Sequence, residues 1–273
     1  MRLLTKILII YFLLSLILIR PLMAEAKDER KSPLDPLVYH FYDDTKGLVT
    51  RPLHWSTKDL YTFGLVSLTT LGFMFIDEDF QRFVQKNRSY STDKISEVIT
   101  PLGGRRGDNI IIGTFILSGF VFKNKKLKDT GLYCFESLIL AEGITKGLKH
   151  LVGRSRPFAG KGAFSFYSFH FPPLGYSLSF PSGHVTSAFS LASTITEQYH
   201  QKIVLFASYS LAIAVAYSRM NDDVHFLSDV FFGACVGYFV GKFIVRFNQN
   251  KNFLKTKIKV SLESKGIKLS YFF

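Results

Sequence analysis

The segment SRMNDDVHFLSD, residues 218–229, places several polar side chains beside an apolar run that has the length of a helix. On a helix, His225 and Asp229 lie one turn apart, so their side chains can meet. A carboxylate that accepts the proton of one ring nitrogen fixes the tautomer and leaves the other nitrogen free to attack. Arg219 adds a planar set of donors that suits a phosphate. This pattern alone is more often a structural pair, so the prediction that His225 is a nucleophile depends on two earlier motifs.

Composition restricts the class of protein. The chain has 273 residues, 47% hydrophobic and 20% charged, with 28 Phe, 13 Tyr and a formal net charge of +13. These values fit a compact polytopic membrane protein with polar loops, or a very aromatic soluble helical protein. Basic runs flank the apolar segments, which favours membrane lipid over nucleic acid as a partner. Cys134 and Cys235 lie inside separate apolar segments, which predicts buried free thiols.

The start of the chain resembles an export signal. Residues 1–26 combine a basic start, an apolar run over residues 7–19 and a small-x-small cleavage site at residues 24–26. Arg20-Pro21 interrupts this pattern, and an uncleaved membrane anchor is the alternative interpretation. Residues 27–59 form a polar N-terminal segment in which several prolines predict little regular structure.

Six apolar segments follow, and they predict an all-α bundle of about six helices, expected to be transmembrane, over residues 60–247. The segments are residues 60–76, 110–122, 132–148, 185–199, 203–217 and 226–247. A soluble domain with buried helices is the alternative. Residues 77–108 predict a short amphipathic helix followed by a turn. Residues 248–273 form a basic tail whose alternating pattern predicts a small C-terminal β-hairpin packed on the helical body.

Two further motifs precede the opening segment, and each stands at the end or the start of an apolar helix. They are Lys149 followed after six residues by Arg156-Pro157, and the run Pro181-Ser182-Gly183-His184. The three motifs therefore gather at one face of the bundle. Together they predict a phosphate pocket with three cations, one hydroxyl group and a helix start whose N–H groups point at the anion.

The same residues suggest a reaction. His225 can attack phosphorus and form a phosphohistidine. His184 can protonate the departing oxygen and then activate water for the second step. The cations stabilise the charge on the equatorial oxygens, a task that magnesium performs in other enzymes.

Together the three motifs resemble the signature of the type 2 phosphatidic acid phosphatase superfamily. This superfamily includes lipid phosphate phosphatases, bacterial non-specific acid phosphatases and vanadium haloperoxidases. The resemblance implies that His225 is the nucleophile, Asp229 its orienting partner and His184 the general acid. It implies no cofactor and no metal, and a phosphate held by Lys149, Arg156, Ser182, Gly183 and Arg219.

Two acidic residues, Asp222 and Asp223, lie between Arg219 and His225. Carboxylates that point into an anion pocket would repel the substrate, so we expect both to face water. A metal site built from Asp222, Asp223 and His225 is an alternative, but His225 would then have two tasks and no further ligand cluster is evident.

Residues 158–180 connect the first two motifs and contain eight aromatic residues but only one charged residue, Lys161. Such a loop beside a phosphate pocket can enter the bilayer and admit a lipid; a lid packed on its own helices is the alternative. The leading hypothesis is a phosphatase for a lipid phosphate monoester or pyrophosphate, with a phospholipid, polyprenyl pyrophosphate or lipid A phosphate as substrate. A soluble periplasmic acid phosphatase, a vanadium haloperoxidase and a catalytically dead lipid-binding bundle remain as rivals.

The expected location is the bacterial inner membrane, with the active site facing the periplasm. The face opposite the motifs carries many lysines, which fits the positive-inside rule. Six spans in that orientation place residues 27–57 in the cytoplasm, whereas a cleaved signal leaves them outside. Either the signal is not cleaved, or one segment does not span, or the mature domain is soluble.

Overall fold

The structure is a computed structural model. It describes the backbone of residues 35–169, 175–263 and 266–271, and the side chains of residues 40–169 and 175–250. The predicted signal sequence and its alternative, a membrane anchor, lie outside the described residues. The chain divides into two compact units, residues 1–43 and residues 44–273. The motifs belong to the second unit, which is described below.

The described chain is predominantly helical, which confirms the predicted all-α class. Eight α-helices occur within the described residues. Their bounds are α1 Asp35–Thr50, α2 Thr57–Lys86, α3 Tyr90–Ile99, α4 Arg105–Val121, α5 Lys125–Val152, α6 Gly183–Tyr199, α7 Lys202–Asn221 and α8 Leu227–Lys257. Each of the six apolar segments lies on a helix of its own, in the order α2, α4, α5, α6, α7 and α8.

Helix α1 corrects the prediction of little regular structure over residues 27–59. It runs from Asp35 to Thr50 and is followed by a 3-10 turn, Arg51–His54. The proline at position 36 lies in the first helical turn, where its missing N–H group leaves no intrahelical hydrogen bond unmade. This proline therefore marks the start of a helix rather than its interruption.

Local capping explains where α2 and α3 begin. Ser56 and Asp59 form a capping box at the start of α2, and Ser89 and Thr92 form one at the start of α3. Helix α2 continues beyond the apolar run to Lys86. Helix α3 and the following 3-10 turn, Thr100–Gly103, supply the amphipathic helix and the turn that the sequence predicts.

Three helices in the described part of the chain are long and apolar enough to cross a membrane. They are α2, α7 and residues Leu227–Asn250 of α8, with mean hydropathies of 1.4, 1.5 and 1.6. Helix α2 exposes a band of large apolar side chains, including Leu65, Leu68 and Phe75. Exposed apolar bands of this size mark surfaces that contact lipid or protein. The fold therefore has membrane character.

Helices α6 and α8 pack closely because glycines line one face of α8. A Cβ atom added at Gly237 would lie 2.3 Å from the carbonyl oxygen of Thr186, and one at Gly233 would lie 2.7 Å from the carbonyl oxygen of Ser182. A Cβ at Gly241 would also clash with α6. Small residues four positions apart allow two helix backbones to approach in this way. This contact brings the starts of α6 and α8 together.

Helix α5 packs on α4 and α6 through an apolar cluster that contains Ile112, Cys134, Leu138 and Leu191. Both cysteines are free thiols, as predicted; Cys134 is buried and Cys235 is half-buried.

Two short strands follow α8. The strands β1, Ile258–Glu263, and β2, Gly266–Tyr271, pair antiparallel with Ile258 opposite Tyr271 and Glu263 opposite Gly266. The packing of these strands on the helical body stays a prediction.

Candidate active site

The three motifs meet where four helices begin or end. Lys149 lies in the last turn of α5, Ser182 is the N-cap of α6, Arg219 lies in the last turn of α7 and Asp229 lies in the first turn of α8. The backbone N–H of Ser182 donates to the carbonyl oxygen of Asp229 at 3.0 Å. A Cβ atom at Gly183 would lie 3.8 Å from Cε of Lys149. The predicted gathering of the motifs at one face of the bundle is therefore present.

His225 and Asp229 form the buried centre of this site. Nδ1 of His225 lies 3.7 Å from Oδ2 of Asp229, a separation that is too long for a hydrogen bond. Oδ2 accepts hydrogen bonds from Oγ of Ser179 at 2.5 Å and from the backbone N–H of Phe226 at 2.9 Å. Catalytic hydrogen bonds without substrate are often long and shorten when the substrate binds. The geometry therefore lets Asp229 orient His225 after a small movement.

Several buried polar atoms at this site have no hydrogen-bond partner among the described residues. They are Oγ of Ser182, Nε of Arg156, Nε of Arg219 and Nδ1 of His225. Buried donors without a partner are costly and call for an explanation. A bound anion such as phosphate would satisfy the hydroxyl and the two guanidinium groups.

Two of the cations also have partners in the protein. Nζ of Lys149 donates to the carbonyl oxygen of Leu178 at 2.6 Å. Nη1 of Arg219 donates to Oδ2 of Asp222 at 2.9 Å and to Oγ1 of Thr100 at 3.1 Å. These contacts hold one end of each side chain, so the two cations need less reordering when an anion binds.

The position of Asp222 corrects the expectation that both acidic residues of the third motif face only water. Its carboxylate pairs with Arg219, because residues three positions apart on a helix are neighbours. Asp223 accepts a hydrogen bond from Nε2 of Gln81 at 2.7 Å. Both carboxylates are therefore engaged by protein side chains, which argues against the alternative of a metal site shared with His225.

Burial and positive charge lower the pKa values of three groups at the site. Burial, followed by the charges of Arg219, Lys149 and Arg156, lowers the pKa of His184 to about 4. Burial lowers the pKa of His225 to about 3, against the opposing effect of Asp229. Burial and the charge of Arg156 lower the pKa of Lys149 to about 7. The site therefore disfavours further positive charge, as expected for a pocket built for an anion.

The turn before α4 packs directly on His184. A Cβ atom at Gly104 would lie 3.2 Å from Nε2 of His184, and one at Gly103 would lie 2.8 Å from its carbonyl oxygen. Side chains larger than hydrogen at these two positions would displace His184. The predicted Gly-Gly turn thus forms one wall of the site.

Arg154, Ser179, Asp77 and Thr100 contact the site but were not predicted from the sequence. Arg154 binds the carboxylate of Asp229, Ser179 donates to the same carboxylate, and Asp77 pairs with Arg154. The only signal in the sequence was the position of Arg154 between two motif cations, in the run Gly153-Arg154-Ser155-Arg156. Nothing in that run shows that Arg154 is fully buried, because its partners come from distant parts of the chain.

The loop between the first two motifs exposes aromatic side chains beside the site. The exposed fractions of Phe158, Phe164, Phe166 and Phe169 are 53%, 56%, 42% and 49%. Phe171, which also belongs to the aromatic loop, lies outside the described residues. The ring of Phe164 lies 5.6 Å from the ring of Phe75, one of the exposed apolar side chains of α2. The loop and α2 therefore present a common apolar surface.

The described chain thus combines a helical fold with membrane character and a site at which two histidines and three cations meet. The family model described as "PAP2 superfamily" matches residues 130–253, a range that contains all three motifs. Residues 130–253 are therefore similar to the PAP2 superfamily, which confirms the resemblance drawn from the motifs.

One relative is the lipid A 4'-phosphatase of Porphyromonas gingivalis, which is 28% identical to this chain over 131 residues. The match covers 46% of this chain and 56% of the relative, so it spans little more than half of that protein.

Two solved structures share the fold. LpxE from Aquifex aeolicus has a TM-score of 0.50 and 23% identity, and the match covers 63% of this chain and 95% of that chain. A transmembrane PAP2-type phosphatidylglycerolphosphate phosphatase from Bacillus subtilis has a TM-score of 0.54 and 23% identity, with 68% and 94% covered.

Proposed function

We propose that this protein is a membrane-embedded phosphatase that hydrolyses a lipid phosphate monoester or pyrophosphate through a phosphohistidine on His225. One observation carries the proposal: His225 lies beside Asp229 in a site where donors of Ser182, Arg156 and Arg219 have no partner among the described residues. These donors suit the oxygens of a phosphate, and His225 is the nucleophile that the same site offers.

In the first step, the nitrogen of His225 that faces away from Asp229 attacks phosphorus. A bond forms between nitrogen and phosphorus, and the bond from phosphorus to the lipid oxygen breaks. His184 donates a proton to this leaving oxygen, and the lipid departs as an alcohol or a shorter phosphate. Asp229 stabilises the positive charge that develops on the ring of His225.

In the second step, His184 removes a proton from water, and the resulting hydroxide attacks phosphorus. The phosphorus–nitrogen bond breaks, inorganic phosphate leaves, and His184 is again protonated. Lys149, Arg156 and Arg219 stabilise the charge on the equatorial oxygens throughout. We propose that these side chains suffice for turnover without a metal ion.

The depressed pKa of His184 fits this cycle only when substrate is present. Burial, and after it the charges of three cations, favour its neutral form in the free protein. A bound phosphate dianion offsets those cations and raises the pKa of His184 toward the range in which it can act as an acid. Substrate binding would therefore bring His184 into the protonated state that a general acid needs.

Three observations support a lipid as the substrate. Three helices can span a membrane by length and composition, and exposed aromatic side chains of the loop lie beside the site. The relative from Porphyromonas gingivalis acts, by its name, on lipid A, and the Bacillus subtilis protein on phosphatidylglycerolphosphate. We propose that this chain takes a substrate of the same kind, with polyprenyl pyrophosphate as a further member of the class.

We further propose a bundle of about six helices in the bacterial inner membrane, formed by α2 and α4 to α8, with the site facing the periplasm. In this arrangement residues 1–26 direct export or anchor the chain, residues 27–59 precede the phosphatase domain of residues 60–247, and the hairpin in residues 248–273 packs on the bundle. Lys123, before α5, and lysines 125, 126 and 128 in the first turns of α5 would face the cytoplasm.

The test is phosphate release by the purified protein in the presence of EDTA. The substrates are a lipid A phosphate, phosphatidylglycerol phosphate, polyprenyl pyrophosphate and phosphatidate in mixed micelles, together with a small water-soluble phosphomonoester. His225→Ala removes the nucleophile, and His54→Ala, at an exposed histidine in the turn before α2, is the matched control.

The proposal predicts release from at least one lipid that resists EDTA, is lost in His225→Ala and persists in His54→Ala. Efficient release from the small ester would favour a non-specific acid phosphatase instead. Release that stops with EDTA would contradict metal independence, and release that survives His225→Ala would contradict the phosphohistidine.

A further inference from the structure

Arg154 lies between the two motif cations of the first motif and is fully buried. All three nitrogens of its guanidinium group donate hydrogen bonds. Nε donates to the carbonyl oxygen of Ala163 at 2.8 Å, Nη1 to Oγ of Ser228 at 2.7 Å and to Oδ1 of Asp229 at 2.6 Å, and Nη2 to Oδ2 of Asp77 at 2.7 Å. A planar group held at every nitrogen has one orientation, so its partners are fixed relative to each other.

The two carboxylate oxygens of Asp229 have different partners. Its Oδ1 accepts from Arg154, whereas its Oδ2 faces Nδ1 of His225 and accepts from Ser179 and from the backbone of Phe226. Rotation of the carboxylate away from His225 would break the contact with Arg154. The guanidinium group therefore sets the direction in which Asp229 presents Oδ2 to His225.

Asp77 connects this arrangement to α2. Its Oδ2 accepts from Arg154, and its Oδ1 accepts from the backbone N–H of Ser228 at 2.9 Å. Asp77, Arg154 and Asp229 are all fully buried. Two carboxylates share one guanidinium group, so neither of them is neutralised by a cation of its own.

We propose that Arg154 is a positioning residue that orients Asp229 toward His225 and limits how strongly that carboxylate favours the charged form of the histidine ring. The inference rests on the proposed function of His225 as the nucleophile. The competing interpretation is purely structural, in that Arg154 only balances the buried charge of Asp77 and holds α2 against the loop.

Three substitutions separate these interpretations. Arg154→Met removes both the charge and the hydrogen bonds at similar length. Arg154→Lys keeps the charge but loses the planar geometry. Asp77→Asn is the matched control, because it removes the second carboxylate, keeps an oxygen acceptor for Ser228 and leaves the pair of Arg154 and Asp229 intact.

The first readout is the titration of His225, which is monitored by NMR on protein with isotope-labelled histidine in detergent micelles. The signal of His225 is assigned by its absence in His225→Ala. The other charged groups that face His225 are Lys149 at the end of α5, Arg156 in the loop and Asp229 on α8, and all three are unchanged. Without Arg154, the full charge of Asp229 acts on the ring and favours its protonated form. We expect the titration midpoint to rise by about one to three pH units in Arg154→Met and to stay at the wild-type value in Arg154→Lys. In Asp77→Asn the midpoint should stay at the wild-type value or fall, because Asp229 no longer shares Arg154 with a second carboxylate.

The second readout is the kinetics on the lipid phosphate that the wild-type protein hydrolyses. Misplacement of a reacting group by about 1 Å costs roughly 100-fold in rate. We therefore expect kcat to fall about 100-fold in Arg154→Met and by a smaller factor in Arg154→Lys, with KM nearly unchanged in both. In Arg154→Met the acid limb of the pH profile moves to higher pH with the titration of His225.

The proposal would be overturned if Arg154→Met and Asp77→Asn lost kcat equally while the titration midpoint of His225 stayed unchanged. Arg154 would then have only a structural role. If Arg154→Met does not fold, Arg154→Lys decides, because wild-type kcat in that variant would equally overturn it. The titration needs no turnover. Absence of phosphatase activity in the wild-type protein would therefore refute the proposed function. The titration midpoint of His225 would still test whether Arg154 positions Asp229.

Discussion

The substitution Gly237→Ala tests whether the close approach of α6 and α8 builds the site. A Cβ atom at this position would lie 2.3 Å from the carbonyl oxygen of Thr186 and 2.8 Å from the backbone nitrogen of Ser190. Both contacts are with the backbone of α6, so no side-chain rotation can relieve them. Ordinary contact requires the two helices to separate locally by about 1 Å.

The separation has two consequences of different size. Alanine is favoured over glycine in a helix by about 1 kcal/mol, whereas overpacking costs about 1–3 kcal/mol, so the net loss of stability is modest. Catalysis is more sensitive, because His184 lies in the first turn of α6, two residues before Thr186, and His225 lies two residues before the start of α8. A displacement of about 1 Å between these groups is expected to lower kcat by roughly 100-fold.

The assay compares kcat on the best lipid substrate with thermal unfolding of the same preparation in detergent. Gly72→Ala is the matched control, because a Cβ atom on α2 at that position meets nothing within 4 Å. We expect Gly72→Ala to keep its activity and to gain up to about 1 kcal/mol of stability from the helix propensity of alanine. Wild-type kcat in Gly237→Ala would show instead that the site tolerates separation of the two helices.

Two further predictions concern the walls of the site and its charge. Thr100→Val removes the hydroxyl that accepts a hydrogen bond from Nη1 of Arg219 at 3.1 Å. The loss of one such hydrogen bond costs about 1 kcal/mol and is expected to raise KM roughly five-fold in initial-rate measurements. Thr62→Val, at an exposed position of α2, is the control and should leave KM unchanged. For His184 and His225, folding lowers the pKa from 6.5 to about 4 and about 3, so the unfolded chain binds protons that the folded protein does not. The stability that they contribute is complete above about pH 6.5 and is lost as the pH falls, by up to about 1.4 kcal/mol per pH unit for each histidine. Thermal unfolding between pH 7 and pH 4 should therefore depend less steeply on pH in His225→Ala than in the wild type, and equal slopes would contradict the buried neutral state of His225.

The sequence predicted those features that depend on local pattern. The apolar segments lie on helices, and the motifs lie at helix ends: Ser182 is the N-cap residue of α6 and Arg219 lies in the last turn of α7. Helix ends were less predictable. Helix α2 extends to Lys86 because its amphipathic continuation has no breaker, although its apolar run ends ten residues earlier.

Contacts between distant residues were beyond the sequence patterns. The partners of Arg154 come from α2 and α8, so its burial depends on the tertiary fold. Asp222 was expected to face water because the charge pattern alone does not show that it pairs with Arg219. In the sequence, Gly233, Gly237 and Gly241 look like small residues of an ordinary apolar helix, and only the close contact with α6 shows why they are glycines.

The proposed function requires that phosphate passes through His225. The most direct measurement is a rapid-quench experiment with lipid phosphate labelled at phosphorus, followed by alkaline isolation and mass spectrometry of the labelled peptide. We expect an acid-labile, alkali-stable label on His225 that is absent in His225→Ala. A protein that releases phosphate at the wild-type rate while the label is absent, or lies on another residue, would contradict the proposed function.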